Sequence, residues 1–407
     1  MREALASGED VNSRDEEKTT ALMWAVIAGH ESIVRLLIRQ PGIDLNCRDT
    51  KGKTALMWAV IQFIDVEECR SILSLLLQQP QIDANHQNSL AGSALHWAAS
   101  KGDLKAVQLL LADDKVDVNC SDSEGKTPLH VAVNKGHTQV LQLLLAHQHV
   151  DVNCIDSVGM TPLDHAVQQA NAKIVQMLLA NQSVEVTLSK DEAGNTPLHR
   201  AAQRGDATVL QLLLADHRVD VNCSNIDGLT PLHVVACQGH TEVLQLLLAD
   251  RRLEVNPTDR GGCTPLYGAA HLGYSKVVQL LLADWRVKVN CKVEYGLTAL
   301  DTAVTEGHIE VVKLLLGNEK VDVNSKNENN ANALHYAAEE DNHEILGLLL
   351  ADPRLSSVNC VDDDGETPVM TALVNKSLKC LQKLLAHPAV NLDTTDTKGR
   401  GLKEVAR

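Results

Sequence analysis

Seventeen histidines and ten cysteines are the residues of this 407-residue chain best able to act as acids, bases, metal ligands or nucleophiles. His96, His130, His199, His233 and His335 each close a four-residue string of the type Thr-Pro-Leu-His. Asp164, Tyr267 and Asp301 close it elsewhere, a replacement that a hydrogen-bonding structural position tolerates better than a metal or acid–base site does. Cys47, Cys120, Cys154, Cys223, Cys291 and Cys360 each follow an asparagine. A disulfide needs Cα atoms within ~7 Å, whereas stacked helices stand ~8–10 Å apart. Zinc requires still closer convergence, so this ladder reads as small side chains packed beneath a turn. Cys69, Cys237, Cys263 and Cys380 lie off the register and form no metal pattern. All ten are expected to be free thiols. No His-Glu-x-x-His, Gly-x-Ser-x-Gly or phosphate-cradling glycine loop occurs, so neither a catalytic residue nor a cofactor is expected.

Trp24, Trp58 and Trp97 directly follow the fourth residue of their strings. Val131, Val234 and Thr302 hold that position in other copies, which reads as packing between units. Trp285 lies outside the strings and is expected to be exposed.

Composition narrows the function. There are 37 Lys plus Arg against 53 Asp plus Glu, a net charge of −16 with His neutral. Such a chain is repelled by nucleic acid and by anionic membranes. No apolar run reaches ~18 residues, and Met1-Arg2-Glu3-Ala4 lacks the basic-then-apolar pattern of a secretory signal. Ten cysteines without a signal imply reduced thiols, hence a cytoplasmic or nuclear setting. Hydrophobic residues make up 44%, yet only four Trp, four Tyr and one Phe are present. The core must therefore be Leu, Val and Ala, the fill of closely stacked helices.

The elements that carry these residues follow from a repeat. Strings begin at 20, 54, 93, 127, 161, 196, 230, 264, 298, 332 and 367. In one unit Thr127 can cap a helix and Pro128 suits its first position. Leu129, Ala132 and Val133 form an apolar stripe, and Gly136 ends the helix. A second helix near Thr138 to Ala146 turns Val140, Leu141, Leu144 and Leu145 inward. Val150 to Asn153 is extended, and Asp156 with Gly159 supplies a turn. Helices of about two turns cannot stand alone, so units must stack.

Threonine-Pro-Leu-His, the Gly-His pairs at 29, 136, 239 and 307, and the Asp-Val-Asn ends resemble the ankyrin repeat. The resemblance spans nearly the whole chain and implies an all-α solenoid of helix-turn-helix units with short hairpin fingers. Eleven complete repeats are expected in one continuous domain over 1–407, with partial units at 1–19 and 401–407. Extra residues fall around Ile61 to Arg70, between Thr187 and Thr196, and near Ser356-Ser357. Both ends fall inside a repeat, which leaves a longer array open.

In the family, the string's histidine bonds adjoining turns, while turn tips and first-helix ends line a concave groove. The apolar residues placed there are Val158, Met160, Ile226, Leu229, Cys263, Leu272, Tyr274, Tyr295 and Leu297. Residues 196–300 carry ten acids and ten bases. Residues 317–374 carry twelve acids and three bases, including Glu339, Glu340, Asp341, Asp362, Asp363 and Asp364. The resemblance thus implies a monomeric, non-catalytic scaffold for protein partners, including one with a basic segment. Alternatives are a regulatory array of a larger enzyme or channel, or an inhibitor covering a basic functional surface. The asparaginyl hydroxylase that modifies such repeats favours Leu eight residues before the asparagine, which singles out Asn119, Asn153, Asn222 and Asn324.

Overall fold

The protein is described by a computed structural model over residues 10–61, 67–186, 191 and 193–405, with the side chains of 67–69 left aside. Contacts divide the chain into two compact units, Met1–Glu192 and Ala193–Arg407. Among the described residues the first unit holds five helix pairs and the second holds six, followed by the one-turn helix Leu402–Val405. The eleven pairs coincide with the eleven repeat starts. The only bridges outside helices are Arg14 with Thr20 and Thr395 with Gly401 among the described residues. The all-α solenoid expectation is met.

One repeat shows why these residues fold this way. Thr127 is extended, Pro128 takes the first helical position, and Pro128–Lys135 ends at Gly136 in the left-handed region, φ 74°. His137 then precedes the second helix, Thr138–Ala146, whose Val140, Leu141 and Leu144 are buried. Within each unit, first helices pack on first helices of neighbouring repeats and second on second. Each buried Leu or Val contributes about 1.5–3 kcal/mol relative to exposure, and only the neighbour supplies the surface that buries it. Stability is therefore a property of adjacent repeats.

Turns are tied in series as well. Asp122 Oδ1 accepts the amides of Glu124 and Lys126, each at 2.9 Å. The Glu124 carbonyl accepts the Ser157 amide of the next turn at 2.9 Å. The extra residues expected around Ile61 to Arg70 lie partly outside the described residues, and the helix that follows, Glu67–Leu77, has eleven residues. The segment between 187 and 196 that holds a further insertion lies partly outside them, and residues 1–9 of the N-terminal partial unit lie wholly outside. No described helix is long and apolar enough to cross a membrane.

Candidate functional site

The five string histidines have both ring nitrogens engaged. His130 Nδ1 accepts the Thr127 amide at 3.2 Å, so the proton sits on Nε2, which donates to the Met160 carbonyl at 3.0 Å. His96, His199, His233 and His335 repeat the arrangement. Burial favours the neutral ring and pulls His130 down to about 4. A ring fixed at both ends has no lone pair left for a metal or a substrate. Asp301 takes over the same duty with a carboxylate, accepting the Thr298 amide at 2.9 Å and hydroxyl at 2.8 Å. Its burial pushes it up to about 6.

The cysteine ladder is closer to these rings than the sequence suggested. Cys120 Sγ lies 3.2 Å from Ser93 Oγ and 3.7 Å from His96 Nδ1. Cys154 and Cys223 stand likewise beside His130 and His199. A thiol beside an imidazole is the outline of a nucleophile, yet activation needs a base with a free lone pair or a nearby cation. Here the ring is already occupied, and burial pushes Cys120 and Cys154 up to about 11. Nine cysteines are free thiols, Cys69 being outside the described side chains. Among the described residues no three metal-capable groups converge.

Asn119 Nδ2 donates to the His149 carbonyl at 2.7 Å while its Oδ1 accepts the Asp151 amide at 2.8 Å. Asn153, Asn222 and Asn324 clamp the next repeat through the same two bonds. The four asparagines singled out for hydroxylation thus fix the spacing between repeats.

The apolar residues assigned to the groove fall on several registers rather than one. Val158 and Ile226 are exposed at turn tips, and Leu272 is exposed at a first-helix end. Met160 is 7% exposed, which corrects the expectation. Its position, between the turn glycine and the capping threonine, folds the side chain beneath the turn. Leu229, Cys263 and Leu297 share that register and are half-buried. Tyr274 stands where other repeats have the histidine of a Gly-His pair. His137, His240 and His308 lie against Gly102, Gly205 and Gly273, and donate to the carbonyls of Ser100, Gln203 and His271. Tyr274 lies against Gly239 in the same way, so much of its ring serves the seam between repeats.

Tyr295 is different. The other turns of its unit for which the bond is seen begin with Asp or Asn, whose Oδ1 gathers turn amides, as Asp259 does for Gly261 and Cys263. Val293 replaces that residue and cannot do so. Tyr295 takes φ 64° beside Gly296 at φ 76°, a left-handed conformation that costs a non-glycine residue about 1 kcal/mol or more. Its side chain is 64% exposed, and its carbonyl still accepts the Glu328 amide at 3.0 Å.

Of the acidic residues, Glu339, Glu340, Asp363 and Asp364 are exposed. Asp341 accepts the Cys380 amide at 3.0 Å and Asp362 the Glu366 amide at 2.8 Å, so both also hold structure. Partial burial and then neighbouring acids push Glu339 and Glu366 upward, Glu340 acting on the first and Asp362 with Asp364 on the second.

The tryptophan register was misjudged. Trp24 is 54% exposed, and Trp58 and Trp97 are half-buried on the turn-and-first-helix face. Trp24 Nε1 donates to Asp15 Oδ2 at 2.9 Å and Trp58 Nε1 to Asp49 Oδ2 at 3.1 Å. His165 bonds Asp156 at 2.8 Å, and Tyr336 accepts from Asn327 at 2.6 Å, always across nine residues. The Lys53 ammonium lies 4.4 Å from the Trp58 ring centre and 4.9 Å from that of Trp97. Trp285 is 81% exposed, as its position outside the strings implied.

The chain is a tandem array of helix pairs whose string histidines and Asp-x-Asn asparagines are bound into the frame. The family model for ankyrin repeats matches overlapping segments from residue 1 to residue 397, at 1–88, 66–156, 95–190, 145–225, 198–293, 252–327 and 300–397. The chain belongs to the ankyrin-repeat family, whose repeats are protein–protein interaction modules. No curated protein matches the sequence.

Proposed function

We propose that this chain is a non-catalytic scaffold that binds protein partners on its turn-and-first-helix face, as a monomer of the cytoplasm or nucleus. One observation carries the reading. In the unit Ala193–Arg407, Ile226, Leu272 and Tyr295 expose apolar surface that the frame does not use, Tyr295 in a strained backbone conformation. Strain at an exposed aromatic tip points to selection for what the tip presents. Tyr is well suited to an interface, giving large area for two torsions. The acids at Glu339, Glu340, Asp363 and Asp364 favour a partner with a basic segment and speed its encounter. Affinity capture with the full chain and with the Tyr295→Ala and Ile226→Asp variants tests this. Specific partners should be lost from both variants, since a central anchor is worth about 2 kcal/mol or more. Unchanged recovery of every partner overturns the assignment.

A further inference from the structure

We propose that the unit Met1–Glu192 carries a second docking surface, of opposite charge, that takes an acidic polypeptide segment bearing one large apolar side chain. This rests on the protein-binding reading but places a distinct partner class on a different unit. A cavity of about 350 Å³ opens between the turns around Leu90 and Glu124, walled by Trp97 and Val131 and rimmed by Lys126 and Lys135. That is the lower end of ligand-sized cavities (~300–1,000 Å³), suited to a side chain rather than a cofactor. Leu90 at its mouth is 65% exposed.

Charge selects the occupant. On this face Lys51, Lys101 and Lys135 are exposed, and Lys53 is held between the Trp58 and Trp97 rings. Among the described residues no ion pair reaches any of these four lysines. Two acids line the cavity: Glu124 is exposed and paired with Lys126, and Asp122 is half-buried and gives Oδ1 to the Glu124 and Lys126 amides, so the excess of charge comes from the lysines around it. Asp49 is buried and gives Oδ1 to the Lys51 and Lys53 amides. Burial is the main cause that lowers the Lys53 pKa; Asp49 opposes it, while Lys51 and Lys101 add to it. A carboxylate arriving beside Lys53 relieves that crowding. The strip is thus locally cationic in a chain of net charge −16. Carboxylates of a short segment meet these ammonium groups, and an apolar side chain between them fills the cavity against Leu90, Trp97 and Val131. A nucleic-acid strand fits less well. Lys53 already occupies the space between the two indole faces where a base would stack, and the rest of the chain repels a long polyanion.

The test is selection of random displayed dodecapeptides on the full chain, with affinities of the enriched peptides then measured by fluorescence anisotropy. One enriched class is expected to be acidic with a single Leu, Phe or Trp. That class should bind at least tenfold more weakly to Leu90→Asp and to Lys53→Gln, and equally well to Tyr295→Ala. Both substitutions are at positions outside the core, and circular dichroism checks the fold. Replacing the peptide's Asp and Glu with Asn and Gln should also lose tenfold, with affinity falling as salt rises. Absence of an acidic class, or acidic peptides indifferent to both variants, overturns the proposal. So does displacement by oligothymidylate at lower concentration than by unlabelled peptide, or a dimer of the chain alone that Leu90→Asp abolishes. Peptides lost with Tyr295→Ala but kept by Leu90→Asp report on the other unit, so the two readings fail independently.

Discussion

Changing Asn88 to Asp should stabilise the unit Met1–Glu192. Asn88 stands nine residues before Trp97, as Asp15 does before Trp24 and Asp49 before Trp58. Its Oδ1 accepts the Leu90 and Gly92 amides at 3.0 and 2.9 Å, so by the geometry of the other turns its amide nitrogen takes the place of the second carboxylate oxygen. Two donors then face each other, and Trp97 Nε1 is left buried without an acceptor. An unsatisfied buried donor costs about 1–3 kcal/mol. Asp supplies an acceptor at the cost of desolvating a carboxylate, so the expected net gain is about 1 kcal/mol at pH 7. Three donors would hold the new carboxyl below its ordinary range, the direction seen for Asp15, where the Trp24 bond is the largest cause. A depressed carboxyl stabilises above its unfolded pKa and loses that effect as pH falls through its folded value, so the gain should vanish near pH 3. Urea unfolding followed by tryptophan fluorescence is the assay, since three of the four tryptophans are Trp24, Trp58 and Trp97. The same change in a Trp97→Phe background should give no gain. An unaltered midpoint at pH 7, or an equal gain in both backgrounds, refutes the reasoning.

The remaining predictions concern the frame. His130 titrates near 4 when folded against an unfolded value of 6.5, so its contribution is complete above pH 6.5 and drains as pH falls toward 4. From pH 6.5 to 5 that one ring should cost about 2 kcal/mol, and His130→Gln should be weaker at pH 7 but lose less on acidification, read from urea midpoints. Asp301 has the opposite sign: its raised value near 6 means stability falls as pH rises between about 4 and 6. Asp301→Asn should flatten that slope in the same titration. Tyr274→Ala should lower thermal stability by about 1–2 kcal/mol because half its ring is packed, whereas Tyr274→His should recover it by donating to the Cys237 carbonyl. Equal melting of Tyr274→Ala and the parent would contradict the seam role. Co-expression with the asparaginyl hydroxylase should give +16 Da peptides containing Asn119, Asn153, Asn222 or Asn324. Loosening the frame with His130→Gln should raise the modified fraction of Asn119 and Asn153, and its absence from all four under normal oxygen retires them as substrates.

The period made the architecture legible before any coordinates. Thr127, Pro128 and Gly136 state where a helix begins and ends, and a 34-residue spacing says the statement is repeated. The histidines were legible for the same reason, since a position that exchanges His for Asp301 and for Tyr267 suits a hydrogen-bonding role better than a fixed ligand set. Exposure was harder. Trp24 was read as packing because Val131 and Val234 share its position, yet that position sits at the mouth of the repeat, where small and large side chains are both accommodated. A usable signal was present: the i, i+9 pairing of Asp15 with Trp24, Asp49 with Trp58 and Asp156 with His165 puts a polar ring edge beside a turn at the surface. Met160 and Tyr274 failed for a related reason. Both look unspent in the sequence, and only the neighbouring repeat, thirty or more residues away, shows the His130 ring that bonds the Met160 carbonyl and the Gly239 against which Tyr274 packs.

Recognition in such an array has to reside where one repeat departs from the others, because identical side chains at identical registers are already consumed in holding neighbours together. Val293 and Tyr295 show how one departure produces another. Loss of the turn carboxylate removes the acceptor that normally gathers the amides two and four residues on, and the backbone reorganises so that residue 295 becomes left-handed. Ladder bonds to both adjoining turns survive, from Glu294 to the Gly261 carbonyl and from Glu328 to the Tyr295 carbonyl. The strain is therefore local, and neighbouring repeats hold it in place. A side chain lifted out of the ladder without breaking it is a rigid projection, so a partner that grips it loses little conformational entropy on binding. Asn88 beside Trp97 is the counterpart in the other unit, a frame position left imperfect next to the cavity that Leu90 and Val131 share.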